Sequence, residues 1–168
     1  VIEAQKIFNL NYEKLKILIH PKSYVHAIVK FTNGITKILI HDTNMKIPIF
    51  NSLYEDNDNK IITRKLDFSI INNLNFENVN LKKFPVIKIL NKLPSDNSLF
   101  ETVIVAANDK LVNLFLNKKI NFLDISRILL KITKEKEFLK YREIIPKNIE
   151  VIVKLSNYVS LKVDTYVI

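Results

Sequence analysis

The sequence predicts an α+β fold: a short mixed or antiparallel sheet with a hairpin, followed by an α-helical bundle. Three observations predict it. Between residues 16 and 42, β-branched runs at 17–19, 24–31 and 35–40 are punctuated by Pro21 and by Asn33-Gly34. After Leu66 the apolar spacing becomes helical in the segments 83–93, 97–117 and 121–137. Between the two regions, Glu55-Asp56-Asn57-Asp58-Asn59-Lys60 contains no apolar residue and marks an exposed loop or a boundary.

Taken in order, residues 1–10 place Ile2, Ala4, Ile7 and Phe8 close to a 3.6-residue stripe, as in a helix already under way, with no N-cap before it. Asn33-Gly34 then predicts a two-residue type I′ turn, in which both central residues need positive φ. That turn sets Thr32 opposite Ile35, Val29 opposite Ile38 and His26 opposite His41. Val25, Ala27, Val29 and Phe31 share one face of the first arm, which is expected to be core or interface. Residues 47–54 read as a short helix with Pro48 near its start, where a missing N–H costs little.

The segment 97–117 has the clearest helical pattern, with Val103, Val105, Ala106, Leu111, Leu114 and Phe115 suited to burial. Phe84, Phe100, Phe115, Phe122 and Phe138 fall in helical segments and read as core, not as platforms for stacked bases. Residues 149–168 are ambiguous, because Val159, Leu161 and Val163 alternate with Ser160, Lys162 and Asp164 at the period of a strand.

Composition narrows the function classes. The 168 residues are 48% apolar and 26% charged, with one Gly, five Pro, no Cys and a net charge of +9. A single glycine cannot build a G-x-G-x-x-G or Walker loop, so no phosphate-cradling loop is expected. Without Cys there is no disulfide frame, thiolate zinc site or cysteine nucleophile, which suits a reducing cytosol. No apolar run approaches the ~20 residues that span a bilayer, and no signal-peptide pattern opens the chain, so no membrane partner is expected. The positive charge invites an RNA-binding reading, which predicts steep salt dependence. Lysines are scattered along the whole chain, however, and Ile, Asn and Lys dominate, as drift toward A and T in a genome produces. No nucleic-acid partner is therefore expected. The chain begins with Val1 and reads as a fragment, a processed product or an incomplete reading frame.

The residues suggest little chemistry unaided. His26 and His41, side by side across the hairpin with Asp42 adjacent, form a weak metal-ligand candidate that depends on the assumed register. Ser23 and His26 carry a hydroxyl and an imidazole three residues apart, which places them on opposite faces of a strand, and no orienting carboxylate accompanies them. The acidic run near Asp56 and Asp58 lacks the glycine and terminal glutamate of a calcium loop.

Longer motifs say more. Ile19-His20-Pro21-Lys22-Ser23-Tyr24-Val25-His26-Ala27-Ile28-Val29, with Asn33-Gly34 and Asn44-Met45-Lys46-Ile47-Pro48-Ile49, matches the signature I-H-P-Q-S-x-x-H-S-M-V … D-G … P-D-M-R-x-P-I. Leu66-Asp67-Phe68, Phe76, Phe84-Pro85 and Ala106-Ala107-Asn108-Asp109 follow in the order of L-D-F, F-x-x-P … Y-P and A-A-N-E, and Val1-Ile2-Glu3-Ala4 corresponds to V-I-E-A. Over essentially its whole length the chain resembles the 1-deoxy-D-xylulose 5-phosphate reductoisomerase family.

The resemblance implies a homodimeric enzyme of the methylerythritol phosphate route to isoprenoids, which rearranges a phosphorylated ketose and reduces it with NADPH, assisted by Mg²⁺ or Mn²⁺. It implies that residues 1–54 are the second part of a central catalytic and dimerisation domain, 55–75 a linker, and 76–168 a C-terminal helical domain. The homodimer would form through the sheet. Such an enzyme is expected in the cytoplasm, or in the plastid stroma or apicoplast of a eukaryote.

In the family, the dinucleotide loop, metal carboxylates, phosphate-binding residues and catalytic histidine lie upstream of the stretch matched by Val1. The resemblance therefore implies no catalytic, cofactor-binding or metal-ligating residue in this chain, which alone should be inactive without its N-terminal half. His20, Ser23, His26 and Met45 are implied to border the substrate and nicotinamide pocket, in orienting and wall roles. The sequence departs from the family pattern where His41 replaces a usual glycine and Thr43-Asn44 replaces Pro-Asp, which alters the pocket edge and puts no ligand at His41. For 149–168 the resemblance implies a terminal helix. A different class of reading is a non-catalytic dimerisation or scaffold module, or one half of a split enzyme.

Overall fold

The computed structural model describes residues 1–54, 59–65, 67–94 and 96–167. Most of the polar run at 55–60 and Leu66 of the Leu66-Asp67-Phe68 motif lie outside the described residues. The chain forms two compact units, one of residues 1–16 and 80–168, the other of residues 17–79.

The first unit is helical. It opens with α1 (Ile2–Phe8), whose C-cap Asn9 is left-handed at φ 48°, and a 3-10 turn at Tyr12–Lys14 capped by the Asn11 side chain. After a 3-10 run at Pro85–Lys92 come α4 (Leu99–Leu116), α5 (Phe122–Ile132), α6 (Lys136–Leu139), a 3-10 turn at Lys140–Glu143 and α7 (Ile149–Asp164). The helices start where side chains satisfy otherwise unpaired N–H groups. Glu101 accepts from the Ser98 N–H at 3.3 Å, Asp124 from the Asn121 N–H at 2.9 Å, and Asn148 from the Val151 N–H at 3.0 Å.

Helix α4 is the centre of this unit, packed against α5, α6, α7 and the 3-10 turn at Lys140–Glu143. Its Phe100, Val103, Ala107 and Leu111 are almost wholly buried, together with Ile128, Leu129 and Ile132 of α5 and Phe138 of α6. Three residues expected to be buried are exposed. Val105 is 43% exposed, and Phe84 and Phe122 are 42% and 67% exposed, because they lie on the outward sides of their segments.

The strand-like pattern at 149–168 gives way to helix α7, in agreement with the family resemblance. Leu155, Val159 and Val163 recur every four residues and bury fully or nearly so, whereas Leu161 is 71% exposed. The alternation of Val159, Leu161 and Val163 was incidental to a helical stripe, which packs on α4.

The second unit holds two small antiparallel sheets, β1 (Leu18–Ile19) with β4 (Glu77–Asn78), and β2 (Val25–Lys30) with β3 (Thr36–Ile40). It also holds α2 (Lys46–Leu53) and α3 (Phe68–Asn72).

The hairpin register differs from expectation by one residue. Val29 pairs with Lys37 and Ile28 with Ile38, so Ile38 does not face Val29 and Thr32 does not face Ile35. The connection is a three-residue loop. The Gly34 N–H bonds to the Phe31 carbonyl at 3.1 Å, the Phe31 N–H bonds to the Ile35 carbonyl at 2.8 Å, and Gly34 alone takes positive φ, at 89°. The Asn33 side chain accepts from the Ile35 N–H at 3.1 Å, so Asn33 serves the turn through its amide and does not adopt the left-handed conformation that a type I′ turn requires. The face expected to be core or interface is left open by the described residues: Val29 and Phe31 are 48% and 42% exposed.

Candidate functional site

The residues singled out by sequence lie in the second unit, on the turn before β2, on β2 and at the start of α2. His20 and Ser23 flank the Pro21-Lys22 turn, which closes with a 2.9 Å bond from the Ser23 N–H to the His20 carbonyl. Pro21 presets the turn φ, and Ser23 then enters the left-handed region at φ 53°. For a non-glycine residue that conformation costs about 1 kcal/mol, and the turn bond and following strand hold it.

His20 Nδ1 lies 3.1 Å from the Asn75 carbonyl oxygen, and its ring packs on Phe76 with centroids 5.6 Å apart. A carbonyl only accepts, so neutral His20 carries its proton on Nδ1. Its Nε2 is buried with no partner among the described residues, a lone pair available to a donor. Nearby in sequence, Asp67 caps α3 through the Ser69 N–H at 2.8 Å. The Ser69 hydrogen bonds hold the Asp67 carboxyl below its ordinary range, and Lys22 on the turn adds to this electrostatically.

His26 sits in an irregularity of the ladder. Val25 pairs with Ile40 and Ala27 with Leu39, so His26 is the extra residue of a β-bulge. Beyond the bulge, the His41 N–H bonds to the Tyr24 carbonyl at 3.2 Å, and the His26 and His41 rings stack with centroids 3.6 Å apart and planes 4° from parallel. The expected juxtaposition of the two histidines therefore exists, although the bulge produces it and the assumed register does not. A stacked pair is not a chelate as it stands, because imidazole lone pairs lie in the ring planes and two parallel planes do not converge on one ion. Among the described residues, no three His, Asp or Glu side chains are grouped to hold a metal.

Met45 is the N-cap residue of α2 and is 61% exposed. Just before it, Asp42, Thr43 and Asn44 line a cleft of about 480 Å³ with Ile47, Ile62, Thr63 and Arg64. The Arg64 guanidinium lies 3.9 Å from the Asp42 carboxylate at this edge. His20 and His26 have different ring partners, Phe76 and His41. Asn75 as the anchor of His20 and the bulge that re-aims His26 were not read from sequence, because neither carries a local signal.

No dinucleotide cradle can be assembled from these residues, since the one glycine is spent on the hairpin loop. Among the described residues no helix is long and apolar enough to cross a membrane.

A family model described as the DXP reductoisomerase C-terminal domain matches residues 41–159. A 1-deoxy-D-xylulose 5-phosphate reductoisomerase from Pelagibacter ubique is 58% identical over 165 residues, which cover 98% of this chain and 42% of that relative. Another, from a Sulfurihydrogenibium species, is 36% identical over 131 residues, covering 78% of this chain and 35% of its own length. Among solved structures, the reductoisomerase from Zymomonas mobilis in complex with NADPH matches at TM-score 0.76 and 27% identity, over 99% of this chain and 43% of that one. The chain thus spans about two-fifths of the length of these relatives.

Proposed function

Because the chain belongs to the DXP reductoisomerase family, we propose that it is the C-terminal portion of an enzyme that converts 1-deoxy-D-xylulose 5-phosphate to 2-C-methyl-D-erythritol 4-phosphate. NADPH supplies the hydride in that reaction, a divalent Mg²⁺ or Mn²⁺ polarises the substrate oxygens, and both groups are held by residues outside this chain. The reaction serves isoprenoid precursor synthesis, in the cytoplasm or in a plastid compartment. The observation that supports this reading best is the 58% identity to the Pelagibacter ubique reductoisomerase over 98% of this chain, beside the family-model match at 41–159.

Within that enzyme, His20, Ser23, His26 and Met45 border the substrate and nicotinamide pocket. The strained turn and the bulge are the kind of local irregularity that aims side chains at a ligand. Residues 1–54 belong to the central domain, 55–75 to the linker and 76–168 to the helical domain.

The hairpin supports a homodimer through the sheet. Two strands alone are marginal, and here Ile28, Val29, Phe31, Ile35, Ile38 and Leu39 are each 41% to 55% exposed. Such apolar strands need further strands beside them, supplied by the N-terminal part of the enzyme and by a second copy. In the complete enzyme, Val29→Glu is expected to shift the sedimenting species from dimer to monomer. A variant that stays dimeric removes this face from the interface. The activity is tested by following substrate-dependent NADPH oxidation by the complete enzyme with Mn²⁺, and an enzyme that oxidises no NADPH with this substrate refutes the assignment.

A further inference from the structure

We propose that His41 is a positioning residue for His26: its ring holds the His26 imidazole in one orientation at the edge of the phosphorylated-substrate pocket. The proposal rests on the reading that His26 borders that pocket. Three observations point to it.

First, the two rings are parallel within 4° and 3.6 Å apart, so rotation of His26 about its side-chain torsions would collide with the His41 face or forfeit the contact. Second, His41 is itself fixed. Its Nδ1 donates to the Asp42 carbonyl at 2.6 Å, and its backbone N–H bonds to Tyr24 at 3.2 Å. A carbonyl acceptor also sets the neutral tautomer of His41, with the proton on Nδ1. His41 is half-buried whereas His26 is exposed, so the better-held ring supports the freer one. Third, the stack depends on the bulge. Continued without it, the ladder nearer the turn would set His26 opposite Ile40, whereas the inserted residue brings His26 onto His41. The ladder break and the ring contact thus act on one side chain.

The experiment uses the complete enzyme with NADPH and Mg²⁺, and compares His41→Ala, His41→Phe, His26→Ala and the His26→Ala/His41→Ala double variant. A positioning role predicts that His41→Ala raises KM for 1-deoxy-D-xylulose 5-phosphate about tenfold with kcat within about twofold, the pattern of lost uniform binding. His41→Phe, which keeps a flat ring to stack on, restores KM to within about twofold. In the double variant the second substitution adds nothing to the effect of His26→Ala, because His41 acts through His26. An unchanged KM in His41→Ala beside a raised KM in His26→Ala overturns the positioning role and leaves the pocket reading intact. An unchanged KM in His26→Ala overturns the pocket reading and the proposal with it.

A second readout is independent of activity. In enzyme carrying ¹³C-labelled histidine, the His26 ring protons should be displaced upfield by the His41 ring current. The displacement should vanish in His41→Ala or His41→Gln and persist in His41→Phe. Identical His26 shifts in all three would show that the rings do not stack and would overturn the proposal.

Discussion

Tyr12 donates its phenolic hydrogen to the carboxylate of Glu101, 89 positions away in sequence, and so ties the segment after α1 to the first turn of α4. Lys6 donates to the same carboxylate and also reaches Asn97 Oδ1 at 2.6 Å. Glu101 is only 3% exposed and caps its own helix through Ser98, so one buried carboxylate closes three connections. Glu101→Ala is expected to lower unfolding stability by about 2–4 kcal/mol, since it strands an ammonium and a phenol and uncaps α4. Glu101→Gln, which keeps the shape and one acceptor, should lose less. Urea denaturation checks this, and a loss under about 0.5 kcal/mol for the alanine variant would contradict it.

The same contact predicts an alkaline limb of stability. Burial first, then the hydrogen bond to Glu101, pushes the Tyr12 phenol above its ordinary value; burial and Glu135 do the same to Tyr166. A raised pKa means that the folded state keeps its proton when the unfolded chain has begun to lose it. Stability is therefore complete below about pH 10 and falls as pH rises toward the folded-state values. Denaturation midpoints at about pH 8 and about pH 11 should differ, and the difference should shrink in Tyr12→Phe. Equal pH sensitivity in wild type and variant would be the contrary result.

Asp124 predicts the opposite limb. Its carboxyl is held below the ordinary range by the Arg127 guanidinium, 2.8 Å away, and by the Asn121 N–H. A lowered pKa stabilises the fold above the unfolded-state value, and that contribution disappears as pH falls through the folded-state value. Asp124→Asn should lower the melting temperature at neutral pH and converge with wild type in acid. A gap that persists in acid would place the effect elsewhere than in ionisation.

Gly34 has open space around the position of an added Cβ, so its constraint is conformational alone. Gly34→Ala at φ 89° should cost about 1 kcal/mol, and Gly34→Asn less, because asparagine tolerates the left-handed region better. Asn33→Ala, which removes the acceptor for the Ile35 N–H, should cost a similar amount in denaturant titration. Were Asn33 the left-handed residue of a type I′ turn, Asn33→Gly would stabilise; the three-residue loop predicts that it destabilises.

These turn details mark how far local pattern reaches. The starts of α4 and α5 lie within two residues of the segments 97–117 and 121–137 that apolar spacing marks, and the capping boxes Ser98–Glu101 and Asn121–Asp124 fix them in the structure. For helix α7 the residues leave helix and strand open and only the family resemblance implies a helix: its buried Val159 and Val163 belong to a period-two alternation as well as to the helical stripe with Leu155, and tertiary packing on α4 decides between them. The hairpin existed as expected, yet its register turned on the Asn33 side-chain bond, which the Asn-Gly pair does not disclose. His26 and His41 were paired on a register that the structure does not have, and a bulge restored the pairing. The left-handed Ser23 and the buried Nε2 of His20 are set by the His20–Ser23 turn and by Asn75, a contact between residues 55 positions apart.

Reconstitution from two pieces tests most directly whether this chain is the C-terminal part of a reductoisomerase whose chemistry resides upstream. NADPH oxidation with 1-deoxy-D-xylulose 5-phosphate and Mn²⁺ is followed for this chain alone, for the N-terminal portion alone, and for the two expressed together. Turnover is expected from the pair and from neither piece by itself. Robust oxidation by this chain alone, or none by the assembled pair and the complete enzyme, would contradict the account.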